Sequence, residues 1–267
     1  MKPTLYFFVL LFFFACTGVK KQSNYISFAM SHNDYEQEKP LTDALSLGFA
    51  CVEADIHLKD GELYVAHDED EINPLMTLKS MYLDPIRELV EKGVITRENP
   101  FYLYVDLKTK NETIDTLSNQ LREYRDILTR VDSDGYHVGE VKVISGSWDV
   151  MKHLTTRYIF AEGKITMLET DLPSTSLFLI NEKWSGLFSW NGEGEMPHDE
   201  ELRLREMVQK ANQGGRYIRF WATDFETKEA RERLWRKLRE CGVHLISTDY
   251  LTELSIFAHQ EEFVINK

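Results

Sequence analysis

Two carboxylates and an imidazole are brought to one neighbourhood by residues 52–68, V-E-A-D-I-H-L-K-D-G-E-L-Y-V-A-H-D. Val52, Ala54, Ile56 and Leu58 alternate with Glu53, Asp55 and His57. That is the period-two pattern of a strand, and it sends Glu53 and Asp55 out from the same side. Asp60-Gly61 supplies a tight turn, and residues 63–66 read as a returning strand that ends on His67-Asp68. Groups of these types can hold a divalent cation and move protons. An isolated E-x-D is as readily a half-exposed strand with solvated acids, so the chemistry has to be supported by the rest of the chain.

The support is a repeating pattern. Apolar strand-like runs fall at residues 26–31, 52–57, 102–107, 141–144, 165–168, 187–190, 217–222 and 245–248. Helical spacing fills residues 41–47, 78–91, 113–129, 149–155, 200–212 and 227–240. Eight strands with mostly helical crossovers predict an α/β chain folded as a (β/α)8 barrel. An open doubly wound sheet is the alternative, but no Gly-rich phosphate loop follows the first strand. A barrel displays its chemistry at the carboxyl ends of its strands. The expected ends carry Ser31-His32-Asn33-Asp34, Asp106-Leu107-Lys108, Ser145-Gly146, Trp190-Asn191, Arg219-Phe220-Trp221-Ala222-Thr223 and Ser247-Thr248-Asp249. Polar groups inside strands are costly unless paired or ligating, which favours a site over accident.

The chain has 267 residues, 43% of them hydrophobic and 28% charged, enough for one large domain with a substantial core. A net charge of −13 with no basic block argues against nucleic acid as a partner and against adhesion to anionic lipid by charge alone. Residues 1–15 read as a signal peptide, with Lys2 ahead of an eleven-residue apolar run too short to span a bilayer. The run ends Phe13-Phe14-Ala15-Cys16, similar to a bacterial lipobox. The expectation is therefore an exported bacterial lipoprotein, held to a membrane through lipid on Cys16 and facing the periplasm or the cell surface. Residues 16–27 form the tether and 28–267 the barrel domain, expected to be a monomer. Cys51 and Cys241 sit in apolar segments and read as buried thiols.

The motifs S-H-N-D-Y (31–35), V-E-A-D-I…A-H-D (52–68), V-D-L-K (105–108), R-F-W-A-T (219–223) and G-V-H-L-I-S-T-D-Y (242–250) resemble, in this order, those of the PLC-like phosphodiesterases. That superfamily includes glycerophosphodiester phosphodiesterases, phosphatidylinositol-specific phospholipase C and the spider-venom type sphingomyelinases D. H-N-D-Y together with T-L-K-S-M-Y-L-D-P (77–85) is similar to the branch known as altered inheritance of mitochondria protein 6. The resemblance covers roughly residues 28 to 257, and the H…E-x-D…H-D unit is its most specific part.

The resemblance implies one Ca²⁺ or Mg²⁺ ion held by Glu53, Asp55 and Asp106, with His32 and His67 as general base and general acid. Lys108 would add a fixed positive charge for the phosphoryl oxygens, and Trp221 an aromatic wall for the alcohol portion. A hard cation prefers oxygen donors, and two imidazoles can pass protons to and from the two alkoxides. Two departures bear on substrate. Glycerophosphodiesterases usually carry Arg after the first histidine, where this chain has Asn33. Asn33 is then left as a substrate contact, and Arg219 from the seventh strand is a substitute guanidinium inferred from the residues alone. Asp106-x-Lys108 stands where Glu-x-Lys is usual, closer to the sphingomyelinase D pattern.

The expected activity is metal-assisted, two-histidine hydrolysis of a phosphodiester, either a small molecule or a lipid. Rival readings are cleavage of intact lipid, a silent binding protein on the same barrel, and a sugar site built on W-N-G-E-G-E (190–195). Structural roles are expected for His57, for Trp190 in the core, and for Asp249 as the N-cap of the last helix.

Overall fold

The computed structural model describes residues 24–109 and 112–265. Its strands are β1 (Ile26–Ser31), β2 (Phe49–Lys59), β3 (Glu62–Val65), β4 (Phe101–Leu107), β5 (Arg130–Asp132), β6 (Gly135–His137), β7 (Val141–Ser147), β8 (Ile159–Gly163), β9 (Leu177–Lys183), β10 (Tyr217–Trp221) and β11 (Leu245–Thr248). Eight of them pair in parallel in the order β1-β2-β4-β7-β8-β9-β10-β11, and β11 returns to β1. The predicted barrel is therefore present and closed. β3 folds back antiparallel on the protruding end of β2, as the Asp60-Gly61 turn predicts. β5 and β6 form a separate small hairpin that the sequence did not announce.

The helices α1 (Thr42–Ser46), α2 (Asp84–Glu91), α3 (Glu112–Leu121), α4 (Trp148–Met151), α5 (His198–Gln213), α6 (Lys228–Cys241) and α7 (Leu251–Ile265) lie between strands or after the last one. Alternation along the strands sorts side chains into two layers. Val52, Ala54 and Ile56 of β2, Leu103 and Val105 of β4, and Ile218 and Phe220 of β10 join the outer core beneath the helices. Met30, Cys51, Tyr102, Tyr104, Phe160, Phe178 and Leu245 make a second cluster. Their strand neighbours two residues on, such as Glu53, Asp106, Glu162 and Ser247, inherit that inward face nearer the carboxyl end.

Two expected strands are displaced. Residues 165–168 form a 3₁₀ turn at Ile165–Met167, and the barrel strand is β8, six residues earlier. Residues 187–190 lie in a loop after the turn Trp184–Gly186, and the strand is β9. That loop is apolar because it folds onto the barrel wall: Trp184 meets Phe220 with centroids 5.6 Å apart and donates from Nε1 to the Trp190 carbonyl at 2.7 Å. Helix 78–91 also divides, into a π-helical turn at Lys79–Leu83 and then α2.

Local chemistry fixes the loop that carries the first histidine. Asp34 is fully buried, and its Oδ2 accepts from the Leu41 amide at 2.6 Å and the Tyr82 hydroxyl at 3.0 Å. This holds Leu41 at φ +61°, a conformation unfavourable for a branched side chain. Burial pushes the Asp34 carboxyl above its ordinary pKa, against the pull of those donors. Gly48 (φ +88°) precedes β2 where a Cβ would lie 1.7 Å from the Asn24 carbonyl oxygen, so only glycine fits.

Candidate functional site

At the carboxyl end of the barrel, a cavity of about 520 Å³ is bounded by residues from almost every strand end. His32, Asn33, Glu53, His67, Asp106 and Lys108 line one side of the ring. Arg219 and Trp221 follow from β10, so eight of the nine expected site residues face one space. The ninth, Asp55, is buried and joined to the cavity through Lys108, whose Nζ lies 2.8 Å from Asp55 Oδ2 and 2.9 Å from Asp106 Oδ2. The β2–β4 register makes this bridge possible, because Asp55 and Asp106 are directly paired across the two strands. Burial alone would lower the Lys108 pKa, but its hydrogen bonds to Asp106 and Asp55 outweigh that and hold the ammonium charged.

Glu53 and Arg219 make the second pair. The guanidinium Nη2 donates to Glu53 Oε2 at 2.7 Å, and Nε donates to Ser247 Oγ at 3.1 Å. Arg219 is 1% exposed and stacks 5.1 Å from the Tyr104 ring centroid. Burial pushes the Glu53 carboxyl upward while Arg219 pulls it back. The expected substitute guanidinium thus reaches the cavity, but it spends one nitrogen on a protein carboxylate.

His32 is oriented by the residue expected to cap the last helix. Its Nδ1–H donates to Asp249 Oδ1 at 2.8 Å. Asp249 is set in turn by its own amide, which donates to Asp224 Oδ2 at 2.7 Å, while the Thr248 hydroxyl donates to Asp224 Oδ1 at 2.7 Å. Burial acts to lower the His32 pKa, but the Asp249 hydrogen bond and the charge of Glu53 win, and the net shift is upward. His67 sits just past β3, half exposed, with Nδ1 3.5 Å from Asp68 Oδ2. His57 has a structural task here: its Nε2 lies 3.2 Å from the His67 carbonyl, which can only accept, so Nε2 carries the proton and pins the His67 backbone.

Asn33 takes the left-handed conformation (φ +43°) and its amide donates to Glu36 at 3.3 Å, so it shapes the rim while lining the cavity. Trp221 is half-buried under the Lys183 ammonium, 5.2 Å from its ring, and is a wall rather than core. Trp190 is core, as expected, and neither it nor Glu193 or Glu195 lines the cavity, so the W-N-G-E-G-E segment takes no part in it.

Displacing strands five and six in the sequence hid three residues. Glu162 and Lys164 end and follow β8, and Asn181 stands on β9. All three line the cavity, as does Tyr104 from β4. The readable signal was an apolar run that stops on mixed polar residues, I-F-A followed by Glu162-Gly163-Lys164 and L-F-L-I followed by Asn181-Glu182-Lys183.

The donor chemistry suits a hard cation. Glu53, Asp55 and Asp106 offer carboxylate oxygens, and Asp55 Oδ1 is buried with no hydrogen-bond partner. Convergence is loose, since no three His, Cys, Asp or Glu side chains among the described residues close on a ready-made metal centre.

The profile of the AIM6-like phosphodiesterase domain family matches residues 26–100, the part that carries the H-N-D-Y, E-x-D and H-D motifs. Among curated proteins, the altered inheritance of mitochondria protein 6 homolog of Arthroderma benhamiae is 27% identical, covering 82% of this chain and 80% of that one. Altered inheritance of mitochondria protein 6 of Candida glabrata is 25% identical over 85% of this chain and 70% of its own. Among solved structures, a glycerophosphoryl diester phosphodiesterase from Parabacteroides distasonis aligns with TM-score 0.54 and 11% identity, covering 89% of this chain and 88% of that one, a likeness of fold. These curated relatives are fungal, which points to a eukaryotic protein and overturns the expected bacterial lipoprotein facing the periplasm. The leader, Cys16 and most of the tether lie outside the described residues. The likeness read from the motifs holds: the chain is similar to the AIM6-like phosphodiesterase domain over residues 26–100 and to the fungal altered inheritance of mitochondria 6 proteins over most of its length, and it shares the barrel fold of the solved phosphodiesterase.

Proposed function

We propose that the chain is a phosphoric diester hydrolase that cleaves a P–O bond in a glycerophosphodiester or a phospholipid head group. The observation that carries this reading is the orientation of His32. With Nδ1–H committed to Asp249, only Nε2 is left to face a substrate, in a cavity shared with His67, Lys108 and Arg219. A neutral imidazole held in that tautomer accepts a proton at Nε2. His32 Nε2 takes the proton of the attacking water, or of a hydroxyl next to the phosphate, in which case the first product is a cyclic phosphate. His67, protonated, gives its proton to the departing alkoxide. Lys108 and Arg219 place fixed positive charge beside the phosphoryl oxygens as the transition state forms. One Ca²⁺ or Mg²⁺ ion at Glu53, Asp55 and Asp106 would neutralise a nonbridging phosphoryl oxygen when bound. The acidic run Asp68–Glu69–Asp70–Glu71 beside His67 favours soluble diesters over docking on an anionic membrane.

The test is hydrolysis of bis(p-nitrophenyl) phosphate and of a panel of glycerophosphodiesters by the purified chain. It is run with EDTA and then with Ca²⁺, Mg²⁺ or Mn²⁺ restored. Metal-restored turnover that disappears in His32→Ala is the expected result. Full activity in His32→Ala or His67→Ala would sink the mechanism, and turnover unaffected by EDTA would remove the metal from it.

A further inference from the structure

The cavity wall made by β8 and β9, which adjoins Arg219 through the Asn181–Arg219 pairing of β9 and β10, has a chemistry of its own. Glu162 Oε2 accepts from the Tyr104 hydroxyl at 2.8 Å and from Asn181 Nδ2 at 2.9 Å, and Asn181 Nδ2 also donates to the Tyr104 oxygen at 3.2 Å. The carboxylate only accepts, so this contact fixes which end of the Asn181 amide is nitrogen. Its Oδ1 is then a pure acceptor, and it is buried without a partner on a side chain 6% exposed. Glu162 Oε1 has no hydrogen bond among the described residues and is not among the buried unpartnered atoms, so it is open to the cavity. Among the described residues no Lys or Arg forms an ion pair with Glu162, although its charge acts on the Arg219 guanidinium. Lys164, the nearest cation by sequence, turns its Nζ to the Asn181 carbonyl at 3.5 Å.

A buried acceptor without a donor costs free energy unless a ligand supplies one. This wall therefore holds two acceptors that no protein donor meets, Glu162 Oε1 open to the cavity and Asn181 Oδ1 buried within its lining, with the Glu162 carboxylate within electrostatic reach of Arg219. From this we infer that Glu162 and Asn181 form the subsite for the alcohol portion of the substrate, and that they select alcohols carrying hydrogen-bond donors. Two sources share that chemistry, the vicinal hydroxyls of a glycerol unit and the primary ammonium of an ethanolamine unit. A choline unit has neither, and it would leave both acceptors unmet. Tyr104 acts as the positioning residue, since its hydroxyl turns Glu162 and Asn181 toward each other. The inference rests on the phosphodiesterase reading and deepens it.

The experiment measures binding rather than turnover, so that the two can fail separately. Inorganic phosphate, sn-glycerol 3-phosphate, O-phosphoethanolamine and phosphocholine are titrated calorimetrically into the purified full chain, with and without Mg²⁺. Glycerol phosphate or phosphoethanolamine should bind about tenfold or more tightly than phosphocholine, the scale of leaving a buried acceptor unpaired. Asn181→Leu should erase that preference while inorganic phosphate binds as before. Glu162→Gln, which keeps the shape, should weaken phosphoethanolamine more than glycerol phosphate if the ammonium is the natural donor, and both alike if hydroxyls are. Phosphate binding with no head-group preference, or a preference that survives both variants, would overturn this inference alone. Absence of any phosphate binding would overturn the phosphodiesterase reading and this subsite with it.

Discussion

The two ends of the barrel bury charge in opposite ways. At the carboxyl end two cations meet carboxylates: half-buried Lys108 bridges Asp55 and Asp106, and buried Arg219 holds Glu53. At the amino end, Tyr102, Phe178, Tyr217 and His244 stack in succession, with Phe178 and Tyr217 centroids 4.5 Å apart. The one lysine there, Lys142, has no carboxylate partner among the described residues; its Nζ lies 3.9 Å from the Phe178 centroid and 4.8 Å from that of Phe160. Burial drops its pKa to about 8. One end pairs its charges beside the cavity; the other fills space, setting Lys142 against ring faces and Arg216 against backbone carbonyls. The difference separates residues that answer to chemistry from residues that answer to packing.

The comparison can be broken most sharply at the histidines. His32→Ala and His67→Ala should each lower diester hydrolysis by about 10²–10⁴-fold, the usual range for a lost proton-transfer group, with the melting temperature little changed. Glu53→Gln should cost on the order of 3–5 kcal/mol of stability by chemical denaturation, because Arg219 would be left charged and buried without its partner. If that variant is as stable as the parent, the mouth is less tightly built than the pairing implies.

Asp249→Asn sharpens the reading of the mouth. The raised His32 pKa places the acid limb of the rate profile above the ordinary histidine value, since the base works only when deprotonated. Removing the carboxylate should move that limb to lower pH and cut the rate about tenfold or more as the tautomer is lost. An unmoved limb would show that Asp249 does not hold the base.

At the amino end the effect falls on stability alone. Lys142 binds its proton more weakly folded (about 8) than unfolded, so between pH 8 and the ordinary lysine range the unfolded chain carries more protons. Stability should therefore rise with pH across that window. Lys142→Met should remove the rise and stabilise the fold at neutral pH by on the order of 2 kcal/mol, a discounted share of the shift, without touching activity.

Most of the site was legible because it sits on strands with clean alternation. In β2 and β4 the polar residues fall on every second position of an apolar run, so Glu53, Asp55, Asp106 and Lys108 could be placed on one face before any coordinates. β10 and β11 were equally plain. The far wall was not, because the chain around it carries two kinds of apolar run. Leu177–Ile180 is apolar as a strand buried on both faces, and residues 187–190 are apolar as a loop lying on Phe220. Period alone does not separate these, and choosing the wrong run hid Glu162, Lys164 and Asn181. Asp249 was misjudged for a different reason. A cap and a histidine partner look the same in sequence, and 217 residues separate it from His32.

His67 arrives on β3, the strand that stands outside the closed ring. Four register pairs tie it to β2, and on its other side the Val65 amide reaches the Met76 carbonyl at 2.8 Å, with one bridge from Tyr64 to Thr77. His32 and the carboxylates are spliced into the cylinder, whereas His67, the proposed acid, rides on an appendage whose loss would leave the cylinder's pairing intact. The fold thus carries one member of the proposed catalytic pair on a detachable element. A change confined to this hairpin would therefore move His67 while the barrel and its carboxylates stayed where they are.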